Sequence, residues 1–271
     1  MKKLMFAAAA IVASVAVADV TSANIVGYTT EGMAENGLGA TAGAAFIPVS
    51  GESFDLAELS VTGVTAGKTA NALEAQTLDE YGGTDRSFMW KDTENQFTHV
   101  KAYGWYENNT TPYSSLTEDQ KVKLGPGEAL FCITKTAGAK LQSSGAVPQE
   151  DVYSDIAEDN GMGVVLANPT PVKVDLGDCK VFGCTPGKTA NAMEVQTLDE
   201  YGGTDRSFMW KDTENQFTHV KALGWYEDNK TDYTTLPADQ KVKLDPGKGV
   251  FIIKKCDLDI QFVWPKVEVG E

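Results

Sequence analysis

Apolar and polar residues alternate over short runs along most of the chain, and Gly, Asp, Asn and Pro separate the runs. This period of two is typical of β-strands that bury one face. Helical periodicity is confined to possible short turns at Leu116–Gln120 and Val152–Glu158. The pattern predicts an all-β protein built from small sandwich- or barrel-like units. The clearest predicted strands are Ala44–Val49, Ala75–Glu80, Arg86–Lys91, Phe97–Tyr103, Lys121–Leu124 and Ala129–Thr134.

The chain contains a tandem duplication. At an offset of 120 residues, 61–133 aligns with 181–253 and gives 55 identities in 73 positions. Residues 76–102 and 196–222 are the same 27 residues, which indicates either constraint or recent copying. We predict a first β unit over 19–135, a linker over 136–149 that is rich in small residues, and a second β unit over 150–271.

A glycine pair indicates a hairpin within each unit. Gly82 and Gly83 stand between two predicted strands, and glycine supplies the positive φ that two-residue turns require. On that register Tyr81 faces Thr84, and Glu80 faces Asp85.

The N-terminus has the pattern of a secretory signal peptide. A basic start at residues 1–3 precedes an apolar stretch over 4–15 and the small residues Ala16-Val17-Ala18. We predict cleavage after residue 18, or alternatively after 23. Export to the periplasm, cell surface or extracellular space follows, with no transmembrane segment after cleavage.

Charge narrows the range of partners. The chain has 23 Lys and Arg against 38 Asp and Glu, a formal net charge of −15, and no basic run. Binding to a nucleic-acid backbone or an anionic membrane requires clustered positive charge, so these partners are disfavoured. A surface polymer or an envelope protein remains open, and Ca²⁺ is the one cofactor left open.

The four cysteines do not follow the duplication. Cys132, Cys179, Cys184 and Cys256 align with Ile252, Leu59, Val64 and Thr136. Disulfides persist in exported proteins, so one or two are plausible. Our first interpretation pairs Cys256 with Cys179 or Cys184 inside the second unit, which leaves Cys132 free or bridging the units. Zinc-binding and thioredoxin-like motifs do not appear.

Two further motifs lack the pattern of a catalytic site. The segments ending at Lys68-Thr69 and Lys188-Thr189 resemble a phosphate-binding loop, but their glycine spacing is one residue short. The two histidines, His99 and His219, occupy equivalent places without a nucleophile motif, and we expect each to be either a surface histidine or a hydrogen-bonded histidine on a strand.

Acidic residues flank the predicted hairpin turn in both units. Glu80 and Asp85, with their copies Glu200 and Asp205, offer the oxygen ligands that Ca²⁺ takes. A solvated acidic turn is the simpler interpretation. A glycosidase-like carboxylate pair would also need a cleft, which the sequence does not supply.

Aromatic residues give the candidate binding sites. Trp105 and Tyr106 follow Gly104, and the second unit repeats them as Trp225 and Tyr226. Exposed indole rings can stack on sugar rings, and two sites on one chain would add avidity. Aromatics more often form the core of a small β domain. Trp105, beside a polar loop, is the one most expected to be exposed.

The chain resembles a group of exported bacterial proteins. The start Asn24-Ile25-Val26-Gly27-Tyr28, the segments 76–79 and 104–105, and the sequence Leu124-x-Pro126-Gly127 carry the resemblance. The group has no established activity. The resemblance therefore implies export and a β-rich repeat, and it adds no catalytic residue.

Two functions from different classes remain. The first is a noncatalytic exported protein of the cell surface or envelope, either structural or a two-site binding module, with glycan as one candidate ligand. The alternative is an enzyme that acts on polysaccharide through the hairpin carboxylates. We favour the first, because no acid, base and nucleophile can be assembled from the sequence.

Overall fold

The computed structural model of the chain describes residues 26–32, 39–43, 53–156 and 159–266, with side chains from residue 53 onward. The predicted signal peptide and the predicted strand Ala44–Val49 lie outside the described residues. The all-β prediction is confirmed, because the described residues form strands and short 3₁₀ turns but no α-helix. None of the helical turns in this part of the chain could span a membrane.

The first half of the described chain has twelve strands. They are β1 (Val26–Gly32), β2 (Gly39–Gly43), β3 (Phe54–Asp55), β4 (Ser60–Thr62), β5 (Lys68–Thr69), β6 (Leu73–Leu78), β7 (Thr84–Glu94), β8 (Lys101–Glu107), β9 (Thr111–Pro112), β10 (Lys123–Leu124), β11 (Ala129–Thr134) and β12 (Lys140–Ala146). Its 3₁₀ turns are Leu56–Glu58, Tyr113–Ser115 and Glu118–Gln120.

The second half of the described chain also has twelve strands. They are β13 (Val152–Asp155), β14 (Gly163–Ala167), β15 (Val174–Asp175), β16 (Lys180–Phe182), β17 (Lys188–Thr189), β18 (Met193–Leu198), β19 (Thr204–Glu214), β20 (Lys221–Glu227), β21 (Thr231–Asp232), β22 (Lys243–Leu244), β23 (Gly249–Lys254) and β24 (Gln261–Trp264). Its 3₁₀ turns are Leu176–Asp178, Tyr233–Thr235 and Ala238–Gln240.

The strand order of the second half repeats that of the first. The main sheet runs β2-β11-β6-β7-β8-β9 with β5 also paired to β7, and its counterpart runs β14-β23-β18-β19-β20-β21 with β17 paired to β19. A three-stranded sheet has the order β1-β12-β4 in the first half and β13-β24-β16 in the second. The short pairs β3-β10 and β15-β22 complete each half.

Each half buries its own apolar core. In the first, Leu56, Phe88, Leu130 and Leu141 are among the residues with almost no exposed surface. In the second, Phe262 and Trp264 of β24 pack edge to face, with ring centroids 4.7 Å apart. Burial of this apolar surface is the main stabilising contribution to each half.

Two segments differ from the sequence prediction. The segment 136–149, predicted as a linker, contains β12, whose backbone pairs with both β1 and β4. Val152–Glu158 was predicted as a helical turn, but its first four residues form β13 and alternate buried and exposed positions. Small residues suit the middle of a sheet as well as a linker, so composition alone misassigned the first segment.

The hairpin between β6 and β7 has another register than predicted. Leu78 pairs with Thr84 across a bulge, so the turn comprises residues 79–83 instead of two glycines. The carboxylate of Asp79 accepts hydrogen bonds from the backbone N–H groups of Tyr81 and Gly83, at 2.9 and 2.7 Å. A side chain that bonds its own turn stabilises the longer loop.

The two halves contact each other reciprocally. The Phe251 ring lies against Gly82 of the other half, and the Phe131 ring lies against Gly202 in the same way. The backbone N–H of Gly163 also donates to the Glu80 carbonyl at 2.8 Å. Both phenylalanines are buried. The hairpin turns thus pack against the opposite half.

Candidate functional site: the loops at the ends of the long hairpins

The longest hairpin of each half ends in a closed loop. β7 and β8 remain paired up to Glu94 and Lys101, and the loop spans residues 95–100. The Asn95 side-chain oxygen accepts hydrogen bonds from the backbone N–H groups of Phe97 and Thr98, both at 2.9 Å. The second half repeats this loop at 215–220 with the same bonds from Asn215.

Further backbone bonds close the loop. The N–H of Asn95 donates to the Val100 carbonyl at 2.9 Å, and the N–H of His99 donates to the Asn95 carbonyl at 2.8 Å. His99 adopts a positive φ of 54°, which the bonded loop maintains against the usual preference of a side-chain-bearing residue. The loop conformation is therefore set by its own hydrogen bonds.

These loops present apolar side chains to solvent. Phe97 is 93% exposed and Val100 is 66% exposed, and Phe217 and Val220 have almost the same values. We call residues 95–100 and 215–220 the first and second tip loops. An exposed phenylalanine on a hydrogen-bonded loop is available for contact without rearrangement of the backbone.

A groove lies beside each tip loop. In the first half it is lined by Gly67, Asp92, Glu94, Lys101 and Tyr103, and Tyr103 is 69% exposed. The Tyr103 ring contacts the Trp90 ring edge to face, with centroids 5.3 Å apart. An exposed ring beside carboxylate and ammonium groups can both stack on a ligand and hydrogen-bond it.

The second groove differs in its aromatic residue. Pro186, Asp212, Glu214 and Lys221 line it, and Leu223 occupies the place of Tyr103. The halves are thus matched in their charged residues and differ in the ring that faces solvent.

Charges at the tip loop are paired locally. The Glu94 carboxylate lies 3.2 Å from Nδ1 of His99 and 3.7 Å from the Lys101 ammonium. Exposed pairs of this kind contribute little to stability. His99 is exposed as expected, although it lies in the loop and not on a strand.

The predicted stacking residues are not free. Trp105 and Trp225 are only 3% exposed, so the prediction that Trp105 faces solvent is wrong. The Trp105 indole N–H donates to the Leu59 carbonyl at 3.0 Å, and the ring packs against Trp90 in the core. Side chains alternate between the two faces of β8. The polar loop that follows the strand therefore does not determine which face carries Trp105.

The tyrosines next to these tryptophans are partly covered. The Lys91 ammonium lies 4.7 Å from the centre of the Tyr106 ring and also donates to the Asn109 carbonyl at 2.7 Å. Lys211 covers Tyr226 in the same way. A cation over the ring takes up the face that a sugar would use.

The predicted calcium ligands do not converge. In the part of the chain that the structure describes, no three acidic, histidine or cysteine side chains come together as a metal site. Glu80, Asp85, Glu200 and Asp205 are all exposed around the two turns. Asp85 accepts a long hydrogen bond of 3.3 Å from the Thr77 hydroxyl. The geometry favours solvated turns.

The loop that resembles a phosphate-binding motif is already bonded internally. The N–H of Gly67 donates to the Asp92 carboxylate at 2.8 Å, and the N–H of Thr65 donates to the Thr69 hydroxyl at 3.1 Å. Two of the amides that would cradle a phosphate therefore have acceptors of their own, and one of these acceptors is negatively charged.

All four cysteines are free in the structure, and the pairing of Cys256 with Cys179 or Cys184 stays a prediction. Cys132 and Cys179 are buried, whereas Cys184 and Cys256 are partly buried. Burial raises the pKa of the Cys132 thiol to about 12, which makes it a poor nucleophile at neutral pH.

The tip loops were missed by the sequence analysis. The pattern placed Phe97 and Val100 on a strand because apolar residues alternate there. Asn95, followed by Thr98, was the signal for a side-chain-bonded turn.

Comparison with protein-family models, curated proteins and solved structures found no match.

Proposed function

We propose that this is an exported, noncatalytic protein that attaches to a neutral surface polysaccharide through its two tip loops. The observation that carries the proposal is the near-complete exposure of Phe97 and Phe217 on loops fixed by internal hydrogen bonds. The same arrangement occurs twice in one chain, which suits simultaneous attachment at two points.

The chemistry of the adjoining groove supports a sugar ligand. Tyr103 offers a flat apolar ring, and Asp92, Glu94 and Lys101 surround it with groups that can hydrogen-bond hydroxyls. The net charge of −15 favours a neutral polymer over an anionic one. The second groove, with Leu223, relies on Phe217 for its aromatic contact.

One carboxylate of each hairpin turn has a structural role, which supports a noncatalytic protein. Asp79 uses its carboxylate to accept two backbone hydrogen bonds within its own turn. Asp199 does the same in the second half.

The test is retention of the purified protein on insoluble cellulose, chitin and mixed glucans, followed by a glycan array. Phe97→Ala combined with Phe217→Ala is expected to lower apparent affinity by at least about a hundredfold, because both points of attachment are lost. Each single variant is expected to lose less. Tyr81→Ala combined with Tyr201→Ala is the matched control, since these tyrosines are 75% and 78% exposed on another turn.

An exchange between the halves tests the groove. Tyr103→Leu gives the first groove the residue of the second and is expected to weaken binding, whereas Leu223→Tyr is expected to strengthen it. Absence of retention on every polysaccharide, or equal retention of the double tip variant and the wild type, would rule out the proposal.

A further inference from the structure

The second half carries two cysteines at one corner of its fold. Cys184 lies in the turn between β16 and β17, and Cys256 follows the end of β23. Both side chains are partly buried and pack against the second core.

Backbone contacts bring these two segments together. β16 pairs with β24, and Phe182 stands opposite Gln261. Gly183, the residue before Cys184, lies so close to the backbone of 259–260 that a side chain at this position would collide with it. The stretch that begins at Cys256 therefore folds back against the turn that contains Cys184.

Backbone hydrogen bonds also connect this corner to the main sheet of the second half. The N–H of Lys255 donates to the Ala192 carbonyl at 2.9 Å, and the N–H of Ala192 donates to the Trp210 carbonyl at 3.0 Å. Cys256 and Thr185, the neighbour of Cys184, line the same shallow depression.

The first half builds the same corner without sulfur. Val64 and Thr136 occupy the equivalent positions, and Gly63 packs against Gly138. The Thr136 hydroxyl donates to the Asn71 carbonyl at 2.8 Å. The two cysteines thus replace two unrelated residues at adjoining positions of one half, and the other half provides an internal control.

We propose that Cys184 and Cys256 are a disulfide-forming pair that links the β16–β17 turn to the chain after β23. Cys179, the other partner considered for Cys256, is fully buried immediately before β16, and its thiol faces the Asp175 carbonyl at 3.8 Å. Cys132 lies in the core of the first half. The pair therefore consists of the two less buried thiols.

The bond forms by thiol–disulfide exchange with a small-molecule disulfide such as oxidised glutathione. One cysteine thiolate attacks the glutathione disulfide, which gives a mixed disulfide and releases one glutathione thiolate. The second cysteine thiolate attacks the protein sulfur of that mixed disulfide and releases the other. Two electrons pass to glutathione, and the two protein thiols lose their protons.

The surroundings of Cys184 make this exchange slow at neutral pH. Burial, together with the nearby Cys256 and Asp212, raises the pKa of the Cys184 thiol to about 11, and the Trp210 indole opposes the rise. Lys188 and Lys255 also line this corner. Since the thiolate is the attacking species, the reaction is carried out under alkaline conditions.

The experiment incubates the reduced full chain with oxidised glutathione and then alkylates it after denaturation. The expected product has lost the mass of two hydrogen atoms, retains two alkylatable cysteines, and yields a linked pair of tryptic peptides, 181–188 and 256–266. Both peptides lie outside the duplicated 27-residue block, so the assignment is unambiguous. Cys184→Ser and Cys256→Ser are expected to stop at the glutathione adduct of the remaining cysteine.

Transfer of the pair to the first half provides an independent check. Val64→Cys combined with Thr136→Cys is expected to form a second bridge under the same conditions, because Thr65 and Thr136 line the equivalent depression in the first half and Gly63 lies against Gly138. Four alkylatable cysteines in the oxidised wild type, a bridge to Cys132 or Cys179, or adducts on both Cys184 and Cys256 without a link would each overturn the proposal.

Discussion

Two indole groups in the first core differ in their hydrogen bonding. The Trp105 N–H donates to the Leu59 carbonyl, whereas the buried Trp90 N–H has no partner among the described residues. The two rings pack edge to face with centroids 5.3 Å apart. They therefore offer a matched comparison at nearly equal burial.

We expect Trp105→Phe to destabilise the protein more than Trp90→Phe. Both changes remove part of a buried ring, but only the first leaves the Leu59 carbonyl without its donor, at a further cost of about 1–3 kcal/mol. Urea denaturation of the two variants measures the difference. Equal loss of stability in the two variants would contradict the assigned role of the Trp105 bond.

Two equivalent carboxylates link stability to pH. Burial acts to raise the pKa of Glu194, but hydrogen bonds from Lys255, Gln196 and Ser207 outweigh it and lower the pKa below its usual value. The pKa of Glu74 is lowered in the same way by Lys135 and the other hydrogen-bond donors around it. A carboxyl group with a lower pKa in the folded state stabilises the fold above its unfolded-state pKa of about 4.3.

We therefore expect the urea midpoint to fall as the pH drops below about 4, through the lowered pKa of these groups. Glu74→Gln combined with Glu194→Gln should reduce stability near neutral pH and flatten this dependence. Urea midpoints measured over a pH series test it, with the exposed Glu150→Gln as a control for lost charge. A double variant with the wild-type slope would show that these groups do not contribute to the acid sensitivity.

At the scale of elements, the alternating pattern predicted five strands that the structure contains in the first half, β6, β7, β8, β10 and β11. β11 was predicted with both ends correct, and β6 is shifted by two residues. The main error was at Phe97–Val100, where alternation continues but the backbone leaves the sheet. Side-chain bonds from Asn95 decide that change of direction, and a period of two in hydrophobicity does not report them.

We expect Asn95→Ala to loosen the first tip loop and leave the second unchanged. The N–H groups of Phe97 and Thr98 lose their acceptor, so their hydrogen exchange should accelerate, whereas Phe217 and Thr218 serve as controls in the same molecule. Amide exchange followed by NMR distinguishes the loops. The two loops lie in identical 27-residue blocks, so their resonances are assigned through neighbouring residues that differ, such as Tyr103 and Leu223.

If exchange at Phe97 stays at the wild-type rate, the loop is not maintained by Asn95. The rigid presentation that supports polymer binding would then need another cause.

At the scale of the whole molecule, the halves are joined by reciprocal contacts. The Phe251 ring lies between Gly163 of its own half and Gly82 of the other, where any side chain at Gly163 would meet the ring. Gly82 has a φ of 84°, so glycine is also required there by the backbone. Phe131 and Gly202 repeat the contact between halves.

We expect Phe131→Ala combined with Phe251→Ala to uncouple the halves. Each truncation of a buried phenylalanine costs about 3–5 kcal/mol, and here the loss falls on the contact between the halves. Calorimetry should show one transition for the wild type and two for the variant. Val195→Ala, a truncation inside the second core, is the control. A single transition in the double variant would show that other contacts couple the halves.

The sequence by itself determined the all-β class and the duplication, because a period of two reports a half-buried strand locally and identity is read directly. Tertiary structure decided which aromatics are available: Trp105 is buried by partners distant in sequence, while Phe97 is left outside the core. It also decided that the turn containing Cys184 adjoins the chain after β23 and that each half covers a turn of the other. Such contacts depend on how the sheets pack, and no local pattern encodes that.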